Sequence, residues 1–120
     1  EHLLSGAVLV ALSRDRFWRQ GNRLTLDAGP FVAALEFAAG EPALVAGKPS
    51  GAFFASAVAS LGVPASSGAM VGDDLWSDVE GAQRAGLRGW LVRTGKFREE
   101  HLHQAAITPD RILASVAELF

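Results

Sequence analysis

Short unbroken apolar runs alternate along this chain with longer stretches whose apolar residues recur at helical spacing. Ala7-Val8-Leu9-Val10-Ala11-Leu12 is continuous and rich in β-formers, the pattern of a buried strand. The polar segment from Ser13 to Arg23 contains Gly21-Asn22, which predicts a turn or hairpin, with Leu24-Thr25-Leu26 as a short strand and Trp18 buried beside Phe17. Asp27, an early Pro30 and the series Phe31, Leu35 and Ala38 predict a capped helix closed by Gly40. Ala43-Leu44-Val45-Ala46 repeats the buried-strand pattern. Ser50 is placed to cap a helix carrying Phe53, Phe54, Ala57, Val58 and Leu61 before Gly62. Ala69-Met70-Val71 runs into Gly72-Asp73-Asp74, and Ser77 is the expected cap of a third helix with Val79, Ala82 and Ala85 at helical spacing. Trp90-Leu91-Val92 predicts a fourth strand, and Ile112 to Phe120 a final amphipathic helix. This alternation predicts an α/β protein with a parallel sheet, and a change of pattern near Glu41-Pro42 marks a boundary.

Composition removes several functions. At 49% hydrophobic and 20% charged over 120 residues, the chain can bury a core. A net charge of -2, with the basic residues scattered, gives no general pull toward nucleic acid or anionic lipid. The local basic run Arg14, Arg16, Arg19 and Arg23 reads as a solvated loop. With no cysteine, disulfides, thiolate nucleophiles and zinc–cysteine sites are excluded. The longest apolar run, Gly6 to Leu12, is far too short to span a membrane. A cytoplasmic protein with neither nucleic-acid nor membrane partners is expected.

The chemistry concentrates at two strand-to-helix junctions. Ligands of open parallel sheets bind beyond the carboxyl ends of the strands, where Asp73 and Asp74 follow an apolar run and Asp78 lies one helical turn on. Hard cations such as Mg²⁺ take carboxylate and water oxygens there, although acidic residues also suit helix starts for electrostatic reasons alone. Lys48 follows the preceding strand in the same way. A lysine at that place neutralises phosphate and holds a carboxylate, whereas a lone loop lysine is ordinarily just solvated. His101 and His103 lack a third metal ligand nearby and read as exposed polar residues.

The combination of Val45-Ala46-Gly47-Lys48-Pro49-Ser50 with Phe53-Phe54, then Met70-Val71-Gly72-Asp73-Asp74, Asp78-Val79, Gly81-Ala82-Gln83 and Ala85-Gly86 resembles hydrolases of the haloacid-dehalogenase (HAD) superfamily, subfamily IIA. Arg93-Thr94-Gly95-Lys96-Phe97-Arg98 narrows the resemblance to one branch. The resemblance implies the C-terminal half of a HAD-like Rossmannoid parallel sheet at 43–120, preceded at 1–42 by the last part of a C2-type cap. It implies that Lys48 is catalytic and substrate-binding, stabilising the phosphoryl group and the nucleophile. Asp73 becomes a Mg²⁺ ligand, with Asp74 and Asp78 supporting the metal at one remove or through water. The implied substrate is a small phosphorylated molecule. Arg14 or Arg16 would lie on the substrate-facing side of the cap.

The family's nucleophile, an aspartate in Asp-x-Asp-Gly that forms an aspartyl-phosphate, has no counterpart here. Leu26-Asp27-Ala28-Gly29 carries glycine where the second aspartate belongs, and Asp27 is better placed as a helix cap. The start at Glu1 rather than Met leads to the expectation that these residues are part of a longer enzyme and inactive alone. A non-catalytic binding or interaction module is the alternative. A response-regulator-like receiver is rejected, since its acidic pair precedes its lysine. Without the nucleophile strand, Ala69 to Val71 would present an open apolar edge, so homo-oligomers are conceivable. Light scattering on the isolated chain should show self-association or poor folding; a monomer that melts cooperatively counts against this expectation.

Overall fold

In the computed structural model, which describes residues 1–104 and 106–120, the strands sort into three separate sheets. The chain packs as two compact units, Glu1–Lys48 and Pro49–Phe120.

In the first unit β1 (Val10–Ala11) and β4 (Leu44–Val45) pair in parallel, Val10 opposite Leu44 and Ala11 opposite Val45. Between them, β2 (Phe17–Gln20) and β3 (Arg23–Leu26) form an antiparallel hairpin about Gly21-Asn22, as its turn chemistry predicts. The helix α1 (Ala28–Ala39) follows, where Asp27 Oδ1 accepts from Ala28 N at 2.7 Å and Gly40 N donates to Glu36 O at 2.8 Å. Asp27 is therefore a cap. Glu36 ties two loops to this helix, accepting from Arg14 Nη2 at 2.7 Å and from Ala43 N at 2.8 Å. Two expectations change. The run from Ala7 to Leu12 forms only a short ladder and leaves Leu12 82% exposed, with Ala11 buried. Trp18 is 42% exposed rather than buried. Both follow from the same limit: two-stranded ribbons have too little surface to bury a face of their own. The compact units divide after Lys48, later than the shift at Glu41-Pro42, because β4 pairs with β1.

The second unit is built on a parallel sheet in the order β5 (Ala69–Gly72), β6 (Arg88–Val92), β7 (Arg111–Leu113). Among the described residues β5 pairs only with β6, so one of its edges carries no strand. The helix α2 (Gly51–Leu61) precedes the sheet; Ser50 Oγ accepts from Phe53 N at 3.3 Å, and Gly62 N returns to Val58 O at 3.2 Å. Buried Phe54 packs with Ala82 and Leu87, joined by Val58, Ala65, Met70 and Ala85. A second cluster joins Leu75, Val79 and Leu91 to Phe97, Leu102 and Ile107. Between β5 and β6 lie a π-helical segment, Leu75–Glu80, and the short α3 (Gly81–Arg84); α4 (Glu99–Gln104) follows β6.

The C-terminus departs from the predicted helix over Ile112 to Phe120. Arg111–Leu113 is strand, and only Val116–Leu119 turns, as a 3₁₀ segment whose Ser115 Oγ accepts from Ala117 N at 3.2 Å. The open edge of β6 decides this. It offers Leu113 a fully buried place opposite Val92, and Arg93 N donates to Leu113 O at 2.9 Å. Helical spacing over so few residues is too weak to compete.

The link into β7 is fastened by Asp110, whose Oδ2 accepts from Gly89 N at 2.7 Å and Gln83 Nε2 at 3.0 Å. The Gln83 bond first, then the Gly89 N–H, holds the Asp110 carboxyl below its ordinary value of 3.8. A folded-state pKa below the unfolded one stabilises at pH above the unfolded value and is lost as pH falls through the folded one. Thermal melts of Asp110→Asn should therefore lose less stability than the unsubstituted protein as pH falls below 3.8, and differ little in slope above it.

Candidate functional site

The carboxyl end of β5 is shaped by a close approach. Asp78, 2% exposed, lies directly against Gly72, and a β-carbon at position 72 would overlap the Asp78 carboxylate. Only glycine fits there. The chain then turns through Asp73 into the π-helical segment, where Asp74 is the cap. Its Oδ1 accepts from Trp76 N and Ser77 N, both at 3.0 Å, while its own N–H donates to Asp78 Oδ2 at 3.1 Å. This is a reciprocal capping arrangement. In an α-helix the returning carboxylate sits three residues past the cap; here it sits four past, because the π turn carries an extra residue. Val79 N reaching back to Asp74 O at 3.3 Å shows that wider turn.

Ser77 is thus not the cap expected of it. It is buried inside the segment, because Asp74 has already taken the free N–H groups at its start.

The loop after β6 closes on the same corner. Lys96 N donates to Asp73 Oδ2 at 2.6 Å, and Lys96 Nζ lies 3.7 Å from Asp74 Oδ2. Asp73 is half-buried and its second oxygen takes no partner among the described residues. Asp74 and Asp78, by contrast, are engaged in holding the loop. The three aspartates and Lys96 therefore come together in the second unit. Lys48 belongs to the first unit, half-buried in the turn that follows β4, with its carbonyl-facing neighbour Gly47 packed against Leu12 O. Trp76 is 44% exposed and meets the His101 ring at 4.7 Å between centroids, so His101 is half-buried rather than the exposed residue expected. Arg14 is paired with Glu36 and, with Arg16, borders a groove of about 370 Å³ beside Gly29 and Pro30 in the first unit.

The donors suit a hard cation in kind. Asp73 presents one open carboxylate oxygen at a strand end, and Mg²⁺ is ordinarily held by one or two carboxylates with waters and phosphate completing its shell. They are too few alone: among the described residues, no three His, Cys, Asp or Glu side chains converge to hold a metal.

The contact of the Gly95-Lys96 peptide with Asp73 was not read from the sequence. A glycine three residues beyond β6, facing the acidic loop that follows β5, was the available cue.

A family model described as HAD-hydrolase-like matches residues 45–119. The chain belongs to the HAD-hydrolase-like family. Phospholysine phosphohistidine inorganic pyrophosphate phosphatase of Homo sapiens is 44% identical over 115 residues, 96% of this chain and 43% of that protein. Haloacid dehalogenase-like hydrolase domain-containing protein 2 of Bos taurus is 47% identical over 96 residues, 80% of this chain and 37% of that protein. Among HAD-like structures, 4-nitrophenylphosphatase from Thermotoga maritima superposes with a TM-score of 0.87 at 34% identity, covering 98% of this chain and 46% of that one. A glycerol phosphate phosphatase from Mycobacterium tuberculosis, crystallised with magnesium, gives 0.85 at 34% identity, covering 98% and 36%. The chain thus spans less than half the length of these relatives, and its α/β fold with parallel sheets is that of HAD phosphatases.

The loop geometry ranks its parts energetically. Asp78→Ala should lower unfolding free energy by about 2–3 kcal/mol, because it leaves a partly buried N–H without its charged acceptor. Glu80→Ala, which removes only the exposed pair with Arg84 at 2.6 Å, should cost less than about 0.5 kcal/mol. Urea titrations of both variants give the comparison.

Proposed function

We propose that these residues are the terminal part of a cap and the last part of the catalytic core of a Mg²⁺-dependent phosphohydrolase, acting on P–O or P–N bonds of a small phosphorylated substrate through an aspartyl-phosphate. The observation that carries the reading is Asp73, a strand-end carboxylate with one oxygen fastened by Lys96 N at 2.6 Å and the other open. Membership of a family whose relatives are phosphatases by name supports it.

In this reading Asp73 donates its open oxygen to the metal. Asp74 and Asp78 keep the loop in the shape that aims it, the first by capping the π-helical segment and the second from beneath Gly72. Lys48 neutralises phosphoryl charge and holds the nucleophile's carboxylate. Bound Mg²⁺ offsets the negative charge of the phosphate. Residues 1–42, the terminal part of the cap in this reading, serve to keep bulk water from the substrate.

The 120 residues contain no Asp-x-Asp-Gly, so the phosphoryl group has no aspartate to accept it within them. This favours, as a second reading, a binding module that retains the lysine and acidic loop without turnover.

The assay is hydrolysis of 4-nitrophenyl phosphate with Mg²⁺. The chain by itself should show no turnover above buffer. The same residues in a protein that also carries an Asp-x-Asp-Gly segment should turn over, with activity lost on chelation and reduced at least about 100-fold by Asp73→Asn or Lys48→Ala, the scale of losing a group that stabilises transition-state charge. Turnover by the chain alone would overturn the assignment of the nucleophile. Turnover in the longer protein that ignores Asp73→Asn would overturn the metal role, and no turnover there would favour the binding module.

A further inference from the structure

We infer that the Gly95-Lys96 peptide is the positioning device for Asp73, fixing which of its two carboxylate oxygens is offered to the cation. The inference rests on the reading of Asp73 as a metal ligand.

A carboxylate at a loop has two equivalent oxygens and a freely turning terminal bond. Binding through either costs the rotational freedom of the group, unless something has already broken the symmetry. Here the loop after β6 does so. Lys96 N donates to Asp73 Oδ2 at 2.6 Å, at the short end for an N–H bound to a charged acceptor. The donor is the main chain, so it does not depend on a long side chain holding one rotamer. Lys96 Nζ lies 3.7 Å from Asp74 Oδ2, so the same residue also meets the neighbouring carboxylate.

Gly95 makes the approach possible in two ways. Its φ of +54 is left-handed, which aims the next N–H toward the β5 loop, and a β-carbon on it would overlap Asp73 Oδ2. These requirements separate experimentally. Asparagine tolerates left-handed backbone better than alanine does, yet it carries the same β-carbon. If the role were only conformational, Gly95→Asn would retain function. If the overlap matters, Gly95→Asn and Gly95→Ala fail alike.

The test measures Mg²⁺ affinity by calorimetry in the protein that carries these residues together with a nucleophile segment. The unsubstituted form is compared with Asp73→Asn, Gly95→Ala, Gly95→Asn and Gly62→Ala. Gly62 is the control, since its φ is +65 but a β-carbon there meets nothing within 4 Å. Both Gly95 variants should weaken Mg²⁺ by about tenfold or more, the usual scale for losing a partner that orients a metal ligand. Gly62→Ala should leave it unchanged. In parallel, amide hydrogen exchange at position 96 should accelerate in the Gly95 variants without added metal, which reports the lost bond itself. Unchanged affinity in both Gly95 variants while Asp73→Asn abolishes binding overturns the positioning role; recovery in Gly95→Asn alone overturns the need for a missing β-carbon at position 95 and keeps the backbone aim. Unchanged affinity in Asp73→Asn overturns the metal reading, and this inference with it. Should the Gly95 variants fail to fold, slow exchange of the Lys96 amide in the unsubstituted protein, lost in Asp73→Ala, supports the bond; fast exchange in the unsubstituted protein refutes it.

Discussion

Asp78 sits almost wholly out of solvent, and a carboxylate there needs donors directed at it. One of them is the N–H of Asp74, and accepting it draws the chain after β5 back over the buried side chain. Gly72 has to be glycine for that return to close, because the carboxylate occupies the space a β-carbon would take. The π-helical segment follows from the same bond, since its extra residue brings Asp78 under the Asp74 amide four positions away. Asp73 is then held at the outer corner of the turn. Its place at the sheet's carboxyl end is therefore a consequence of packing beneath it as much as of its own chemistry.

The three aspartates divide the work by burial. Asp78 is the foundation, Asp74 the cap, and Asp73 the residue with an oxygen to spare. The order reflects cost. A buried carboxylate without donors would lose several kcal/mol, so Asp78 has to be fully engaged. A half-buried one at a loop can afford an open oxygen because water reaches it. The neighbouring apolar clusters around Phe54 and around Leu75, Val79 and Leu91 hold the strand and the segment in place from within. Surface pairs such as Glu80 with Arg84 add little by comparison.

Much of this was legible in the sequence, for reasons particular to each element. Asp27, Ser50, Gly40 and Gly62 are local devices: a short polar side chain or a left-handed glycine acts on residues within one turn of itself. The parallel sheet was legible because buried strands are continuous in apolar residues, as at Met70-Val71 and Leu91-Val92. What failed depended on distant partners. Ile112 and Leu113 joined β6 because the edge of that strand, distant from them in sequence, was open to them, not because of their own spacing. Trp18 stayed exposed because nothing in its unit covers the hairpin's face enough to bury it. The gathering of Asp73, Asp74 and Asp78 at one strand end was readable from their spacing, while the shift of the cap from Ser77 to Asp74 required knowing that the turn is π-helical. The hold of Lys96 N on Asp73 had only Gly95 as its cue, since a backbone donor leaves no mark in its own residue's identity.

Trp76 occupies the middle of this constrained loop, and among the described residues only its main chain takes part in the hydrogen bonding that fixes it. The indole stands 44% exposed and meets the His101 ring. The loop is thus modular. Its floor at Gly72 leaves no room for a β-carbon above Asp78, while the side chain at position 76 stands largely clear of that packing. A substitution at position 76 would therefore alter what this end of the sheet displays to its surroundings while leaving the hydrogen bonds of the acidic loop in place.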